Sequence, residues 1–271
     1  RLFDILAEIA PAESGGSVST VPCSFKEFIS SDEQVEAMRR NLWEVVQHID
    51  ALSERSGKDL HLGLEPEPLC YLETSDEMIR FYRQLRDDRP RDDRLAKRLG
   101  INYDTCHLAV EFEEAADALG SLVAEGIRIS KLHLSAALQL KPIALARERL
   151  ADFTEDVYLH QVVERLPGGE LRRHRDLDVA LAKETDAEEW RIHFHIPLHA
   201  PDSSWFCSTC DHIGGVLDLL KADPALCTHL EMETYTWEVL PEDLKKRDVV
   251  DQLSGEYEWT LDELRARGLA A

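Results

Sequence analysis

The stretch that most restricts how this chain can fold is Leu62-Gly63-Leu64-Glu65-Pro66-Glu67-Pro68. Its leucines alternate with Gly63 and Glu65 at the two-residue period of a strand, which turns Glu65 to the face opposite the leucines. Neither Pro66 nor Pro68 has an N–H to give to a ladder, so the strand stops there. A carboxylate is thereby set at the C-terminal lip of a buried strand, where open α/β sheets and α/β barrels carry their chemistry. Three later stretches repeat the design. A strand over 101–103 runs into Asp104, a strand over 129–134 carries His133 near its end, and a strand over 230–235 has Glu231 and Glu233 on one face.

Between these strands the apolar spacing changes to that of helices. The chain opens in a helical pattern over residues 1–9, turns at Ser14-Gly15-Gly16 and continues as a strand over 17–22. Ser30-Ser31-Asp32-Glu33 caps an amphipathic helix over 33–53, and Thr74-Ser75-Asp76-Glu77 starts the next. A polar stretch over 87–94 precedes a short helix ending at Gly100; further helices are predicted over 113–125, 210–221 and 260–269. The alternation of strand and helix predicts parallel βαβ units. It breaks over 141–190, where a strand over 158–163, the turn Pro167-Gly168-Gly169 and a return over 171–174 predict an inserted hairpin with a flanking helix. Residues 191–197 follow as a strand with His193 and His195 on one face. The whole of 1–271 is expected to form a single α/β domain, with 141–190 an insertion within it. Because Arg1 already stands inside a helical pattern, the chain is expected to be an N-terminally shortened piece of something larger.

Charge narrows the partners. A formal net charge of −22 opposes nucleic acid and anionic membrane, both of which need clustered Lys and Arg. No apolar run approaches the ~18 residues of a membrane span. The six cysteines have no disulfide-scaffold rhythm, so a reducing cytoplasm is expected. Cys207-Ser208-Thr209-Cys210 lacks the second pair that a zinc site would need and reads as a loop leading into a helix.

Glu65, Asp104, His133 and Glu233 are the candidate site. Any one of them could be a paired group at a sheet lip, but strands sharing one sheet would bring all four to one end. Three carboxylates and an imidazole make a hard, mostly oxygen donor set suited to Mn²⁺, Mg²⁺, Co²⁺ or Zn²⁺. Without a cation the carboxylates would repel one another. Of the glutamates that share a face, Glu233 is preferred over Glu231 because it lies nearer the strand end. His107, three residues after Asp104, either binds substrate, orients Asp104 or caps a helix. His193 and His195 suit metal ligation or substrate binding, or are buried and satisfied, the duller reading being favoured for His193. Glu67 either lines the pocket mouth or is solvated.

Together these strand ends resemble the xylose isomerase-like superfamily of TIM-barrel sugar isomerases and epimerases. The matching stretches are Gly63-Leu64-Glu65-Pro66, Tyr103-Asp104-Thr105-Cys106-His107, Lys131-Leu132-His133-Leu134 and Leu230-Glu231-Met232-Glu233. More narrowly, the chain is similar to the EboE-type metabolite traffic proteins. Ser19-Thr20-Val21-Pro22, Leu64-Glu65-Pro66-Glu67-Pro68, Tyr158-Leu159-His160-Gln161-Val162-Val163, His193-Phe194-His195-Ile196-Pro197-Leu198 and Glu233-Thr234-Tyr235-Thr236-Trp237 carry that likeness. The resemblance implies a TIM (β/α)8 barrel whose first three βα units precede Arg1. It implies a divalent metal ion held by Glu65, Asp104, His133 and Glu233, with Glu65 and Glu233 doubling as the acid/base pair and His107 touching substrate. The insertion and the additional strand bearing His195 depart from the simple isomerases, leaving open whether His195 replaces or supplements His133. The activity so implied is isomerisation or epimerisation of a sugar, cyclitol or related polyol through a metal-stabilised enediolate. The alternatives are a carrier that keeps the barrel mouth without chemistry, and a metal-dependent phosphoester hydrolase, whose DNA-binding form the acidic charge opposes.

Overall fold

Side chains that satisfy the first amides of a helix fix where it begins, and the computed structural model, which describes residues 1–11, 15–236 and 248–271, has such caps at several of its helices. Ser14 of the predicted turn and Trp237 of the last resembling string lie outside the described residues. In chain order the elements are α1 (Leu2–Ile9), β1 (Gly16–Thr20), α2 (Asp32–Ser56), β2 (Leu60–Leu64), α3 (Ser75–Asp88), α4 (Arg94–Arg98) and β3 (Leu99–Asp104). There follow α5 (Thr105–Val110), α6 (Ala115–Ala124), β4 (Arg128–Leu134), β5 (Ala136–Leu140), α7 (Ala144–Leu150), β6 (Val162–Arg165) and β7 (Leu171–His174). The last are α8 (Leu177–Leu181), β8 (Glu189–Ile196), β9 (Cys207–Ser208), α9 (Cys210–Ala222), β10 (Leu230–Met232) and α10 (Val249–Arg267). The Gln34 side chain accepts from the Ser31 amide at 3.0 Å to start α2, and Gly57, at φ +69°, ends it in the left-handed conformation glycine adopts freely. Thr74 Oγ1 accepts from the Glu77 amide at 3.2 Å to start α3.

The chain divides into two units. The first comprises Arg1–Tyr103, Asp117–Leu132 and Cys227–Leu230. It is built on a sheet in the order β1-β2-β3-β4-β10, in which β1 pairs with β2, and β2 with β3, in parallel. All five residues of β2 and all six of β3 are buried, as parallel strands covered on both faces must be. Trp43, Val46 and Ile49 of α2 are buried, and Trp43 Nε1 donates to the Leu85 carbonyl of α3 at 3.1 Å. Gly100 allows β3 and β4 to close on each other: a Cβ there would press into the Arg128 carbonyl and lie 2.6 Å from Ser130 Oγ. Gly100→Ala is therefore expected to destabilise the first unit by about 2 kcal/mol, the scale of core overpacking, as a lowered denaturant midpoint at unchanged slope.

The second unit comprises Asp104–Ala116, His133–Leu226 and Glu231–Ala271. Its sheet runs β7-β6-β8-β5-β9, with β5–β8, β5–β9, β6–β7 and β6–β8 all antiparallel. The β6–β7 hairpin turns at Gly168 and Gly169, at φ +94° and +89°. Several expectations shift here. The antiparallel sheet begins at Ala136 and reaches Ser208, beyond the 141–190 limits read from the sequence, and β8 joins it rather than the parallel rhythm. The strand expected over 158–163 starts at Val162, because the preceding loop folds on Glu155, which accepts from the Tyr158 amide at 2.8 Å and faces His160 Nε2 at 3.0 Å. The strand expected over 230–235 ends at Met232, and α10 starts at Val249, where Asp248 caps the amides of Val250 and Asp251.

Candidate metal centre

The second unit gathers its polar residues around the last residue of β3. Asp104 is fully buried. Its Oδ1 accepts from the His107 amide at 3.0 Å, which caps α5, and from Ser135 Oγ at 2.6 Å. Ser135 Oγ in turn accepts from the Cys106 amide at 3.0 Å, and the Ser135 amide donates to Thr105 Oγ1 at 2.9 Å. The Thr105 hydroxyl faces the carbonyls of Ser135 and His133 at 2.7 and 3.0 Å. The ends of β3 and β4 are thus laced together residue by residue, and the orientation of Asp104 is set before any ligand arrives.

What that lacing leaves over is the other carboxylate oxygen. Asp104 Oδ2 is buried, makes no hydrogen bond among the described residues, and lies 3.6 Å from His133 Nδ1. Glu233 Oε2 is likewise buried without a hydrogen bond and lies 2.9 Å from the same nitrogen, outside hydrogen-bond alignment. Glu233 sits just past β10; its amide donates to the Leu134 carbonyl at 3.3 Å, and its own carbonyl accepts from His195 Nδ1 at 2.7 Å. The Thr236 hydroxyl donates to the His195 carbonyl, tying the segment after β10 to β8 a second time. Glu231 stands 3.7 Å from His133 Nε2 with half its side chain exposed, so Glu233 is the nearer carboxylate.

Ligand atoms of Asp104, His133 and Glu233 lie within 4.8 Å of one another. Asp104, His107 and His195 meet the same test, as do Cys106, His193 and His195. Two buried carboxylate oxygens turned on one imidazole nitrogen form a donor set that a divalent cation would satisfy. The electrostatics agree. Burial alone would raise the Asp104 carboxyl, but His107, His133 and His195 hold it well below the usual carboxylate range. Burial, with His107 and His195 nearby, pushes His193 well below the ordinary imidazole value. The His107 and His193 rings stack edge to face at 4.6 Å.

No protein-family model matches the chain, and no curated protein does. Among solved structures it is similar to that of IolI protein with a binding zinc atom, at 10% sequence identity and a TM-score of 0.50, covering 98% of this chain and 67% of that one. The likeness shows an α/β, TIM-barrel-like fold. On such a fold chemistry belongs to the C-terminal ends of the strands. Asp104 ends β3, His133 is the penultimate residue of β4, and Glu233 follows β10. No helix of the described residues is long and apolar enough to cross a membrane.

Of the residues singled out in the sequence, Asp104, His133 and Glu233 meet, with His107 and His195 beside Asp104. Glu65 and Glu67 belong to the first unit. Glu65 is the first residue past β2, with its amide donating to the Thr20 carbonyl at 3.0 Å; Glu67 accepts from the Cys70 thiol at 3.7 Å. Both are half-buried. Sequence reasoning passed over Thr105, Ser135, Thr236 and Gln161, whose Oε1 faces His193 Nδ1 at 2.7 Å. Their signal was faint: short polar side chains at the ends of apolar runs.

Proposed function

We propose that the chain is a divalent-metal-dependent isomerase or epimerase of a sugar, cyclitol or related polyol, of the xylose isomerase-like kind and nearest the EboE-type metabolite traffic proteins, working in the cytoplasm. The observation that carries this reading is the convergence of two buried carboxylate oxygens, Asp104 Oδ2 and Glu233 Oε2, on His133 Nδ1. Asp104, His133 and Glu233 hold the ion, Mn²⁺, Mg²⁺, Co²⁺ or Zn²⁺, and Glu65 completes the set. Glu65 directly follows the last residue of β2, a strand-end position that suits that role. The ion would polarise a substrate carbonyl and its neighbouring hydroxyl.

The residues do the rest. Glu65 and Glu233 divide the proton transfer, one removing the proton from the carbon beside the carbonyl and the other returning it. Glu233 is steadied for this by its backbone, held at both amide and carbonyl. His107 and Glu67 bind the substrate's hydroxyls. Glu233→Gln keeps the side chain's size and removes its basicity. In D₂O, at an ion concentration that saturates the variant, and with a panel of five- and six-carbon ketoses and keto-cyclitols, the variant is expected to slow deuterium uptake at the exchanging carbon by about 10³-fold, while calorimetric binding of the same compound changes only a few-fold. Exchange at the parent rate would remove Glu233 from the chemistry. Binding without exchange in the parent protein would leave a carrier.

A further inference from the structure

The two histidines of β8 meet in a way that neutral imidazoles do not sustain unaided. His195 Nδ1 lies 2.7 Å from the Glu233 carbonyl oxygen, which can only accept, so Nδ1 carries the proton. His193 Nδ1 lies 2.7 Å from Gln161 Oε1, also an acceptor, and carries its proton there. In a neutral ring the remaining nitrogen then presents a lone pair. Those nitrogens, His193 Nε2 and His195 Nε2, face each other at 3.3 Å, with the residues 2% and 0% exposed. Two buried acceptors at that separation repel unless something positive stands between them.

The separation also says what would fit. Two imidazole nitrogens, each about 2.05 Å from a tetrahedral ion, stand about 3.3 Å apart. A third donor is at hand, for Cys106 is fully buried and its sulfur lies within 4.8 Å of a ring nitrogen of each histidine. We propose that Cys106, His193 and His195 form a second metal site, taking Zn²⁺ or another borderline-soft divalent ion, beside the carboxylate-rich set of Asp104, His133 and Glu233. The donor chemistry separates the two: nitrogen and sulfur at one, mostly oxygen at the other. Binding displaces the thiol proton to solvent, leaving thiolate and two neutral imidazoles around the ion. Gln161 and the Glu233 carbonyl act as the outer partners that fix both ring tautomers. Filling the site locks the ring that supports the Glu233 backbone, so the softer ion is structural and acts on the first site by positioning.

Cobalt tests this without reference to activity. Metal-stripped protein titrated with Co²⁺ is expected to bind two ions per chain, one of them giving the near-ultraviolet charge-transfer absorption of a thiolate ligand. Cys106→Ser and His193→Ala each remove that absorption and one ion, with the fold checked by circular dichroism. Asp104→Asn removes the other ion and leaves the absorption, so failure here and failure of the proposed function are told apart. A parent protein without the thiolate band, or a band that survives Cys106→Ser, overturns the site. Should both variants fail to fold, X-ray absorption at the zinc edge of the unaltered protein decides: a sulfur neighbour at about 2.3 Å is expected, and a shell of nitrogen and oxygen alone overturns it.

Discussion

Asp104→Asn is expected to weaken binding of Mn²⁺ or Zn²⁺ at the carboxylate-rich site by about 100-fold or more while leaving the fold in place. Replacing a residue that merely orients a ligand already weakens metal binding by about 10- to 100-fold, so loss of a ligand itself sits at or beyond that limit. The fold survives because the asparagine carbonyl can take over from Oδ1, accepting from the His107 amide and from Ser135 Oγ as the carboxylate does. The new amide nitrogen then occupies the place of Oδ2, which accepts no hydrogen bond among the described residues. It brings donors where an electron pair is needed, 3.6 Å from His133 Nδ1. Calorimetric titration gives the affinity directly, and unfolding with and without chelator gives it again. At an ion concentration 100 times the parent dissociation constant, binding contributes about 2.7 kcal/mol, which falls to about 0.4 kcal/mol when affinity drops 100-fold. A variant whose midpoint still responds to chelator as the parent does would show that Asp104 is no ligand.

That Asp104 could be picked out before the fold was known reflects how it is placed. It is a charged residue at the end of the buried strand Leu99-Gly100-Ile101-Asn102-Tyr103, and a strand buried on both faces ends in charge only at a lip. His133 carries the same signal in β4, and Glu65 after β2. Strand direction was not written so plainly. In β8 Ile192, Phe194 and Ile196 alternate with histidines just as a strand of either orientation would, and only its pairing with β5 and β6 makes it antiparallel. β5 escaped notice because Ser135 alone separates it from β4, with no Gly, Pro or Asn to mark a turn. The first turns of α10 were hidden for another reason: Val249, Val250 and Leu253 face solvent, so its opening lacks an inward apolar stripe. The contacts of Ser135, Gln161 and Thr236 carried only a faint signal. Each acts on a partner some thirty to forty residues away, and only the folded chain introduces them.

The largest effect on stability is expected at a residue with no part in the site. Glu164 of β6 is fully buried, and its carboxylate accepts from four side chains: Arg172 Nη1 at 3.0 Å and His174 Nε2 at 2.9 Å on one oxygen, Thr185 Oγ1 at 2.5 Å and Trp190 Nε1 at 3.0 Å on the other. These donors come from β7, from the segment before β8 and from β8 itself, so the charge pins the hairpin edge of the second unit's sheet. Glu164→Ala leaves the Trp190 indole N–H and the His174 ring buried without an acceptor, and opens a cavity besides. Breaking a buried charged network from one side costs about 3–5 kcal/mol. Glu164→Gln restores the volume and one acceptor but turns an amide N–H₂ towards donors, and is expected to lose about half as much. Unfolding in guanidinium, followed by circular dichroism, should rank parent, Gln and Ala in that order; an Ala variant within 1 kcal/mol of the parent would mean that the network adds nothing. Acid supplies an independent check. Burial alone would raise this carboxyl, but Thr185, His174 and Trp190 together hold it below the ordinary glutamate value. A depressed folded-state value makes its contribution fully present above the unfolded pKa of about 4.3 and lost as pH falls through the folded one. The gap between parent and Glu164→Ala should therefore be widest near neutral pH and narrow below about pH 4, which a residue acting through packing alone would not do.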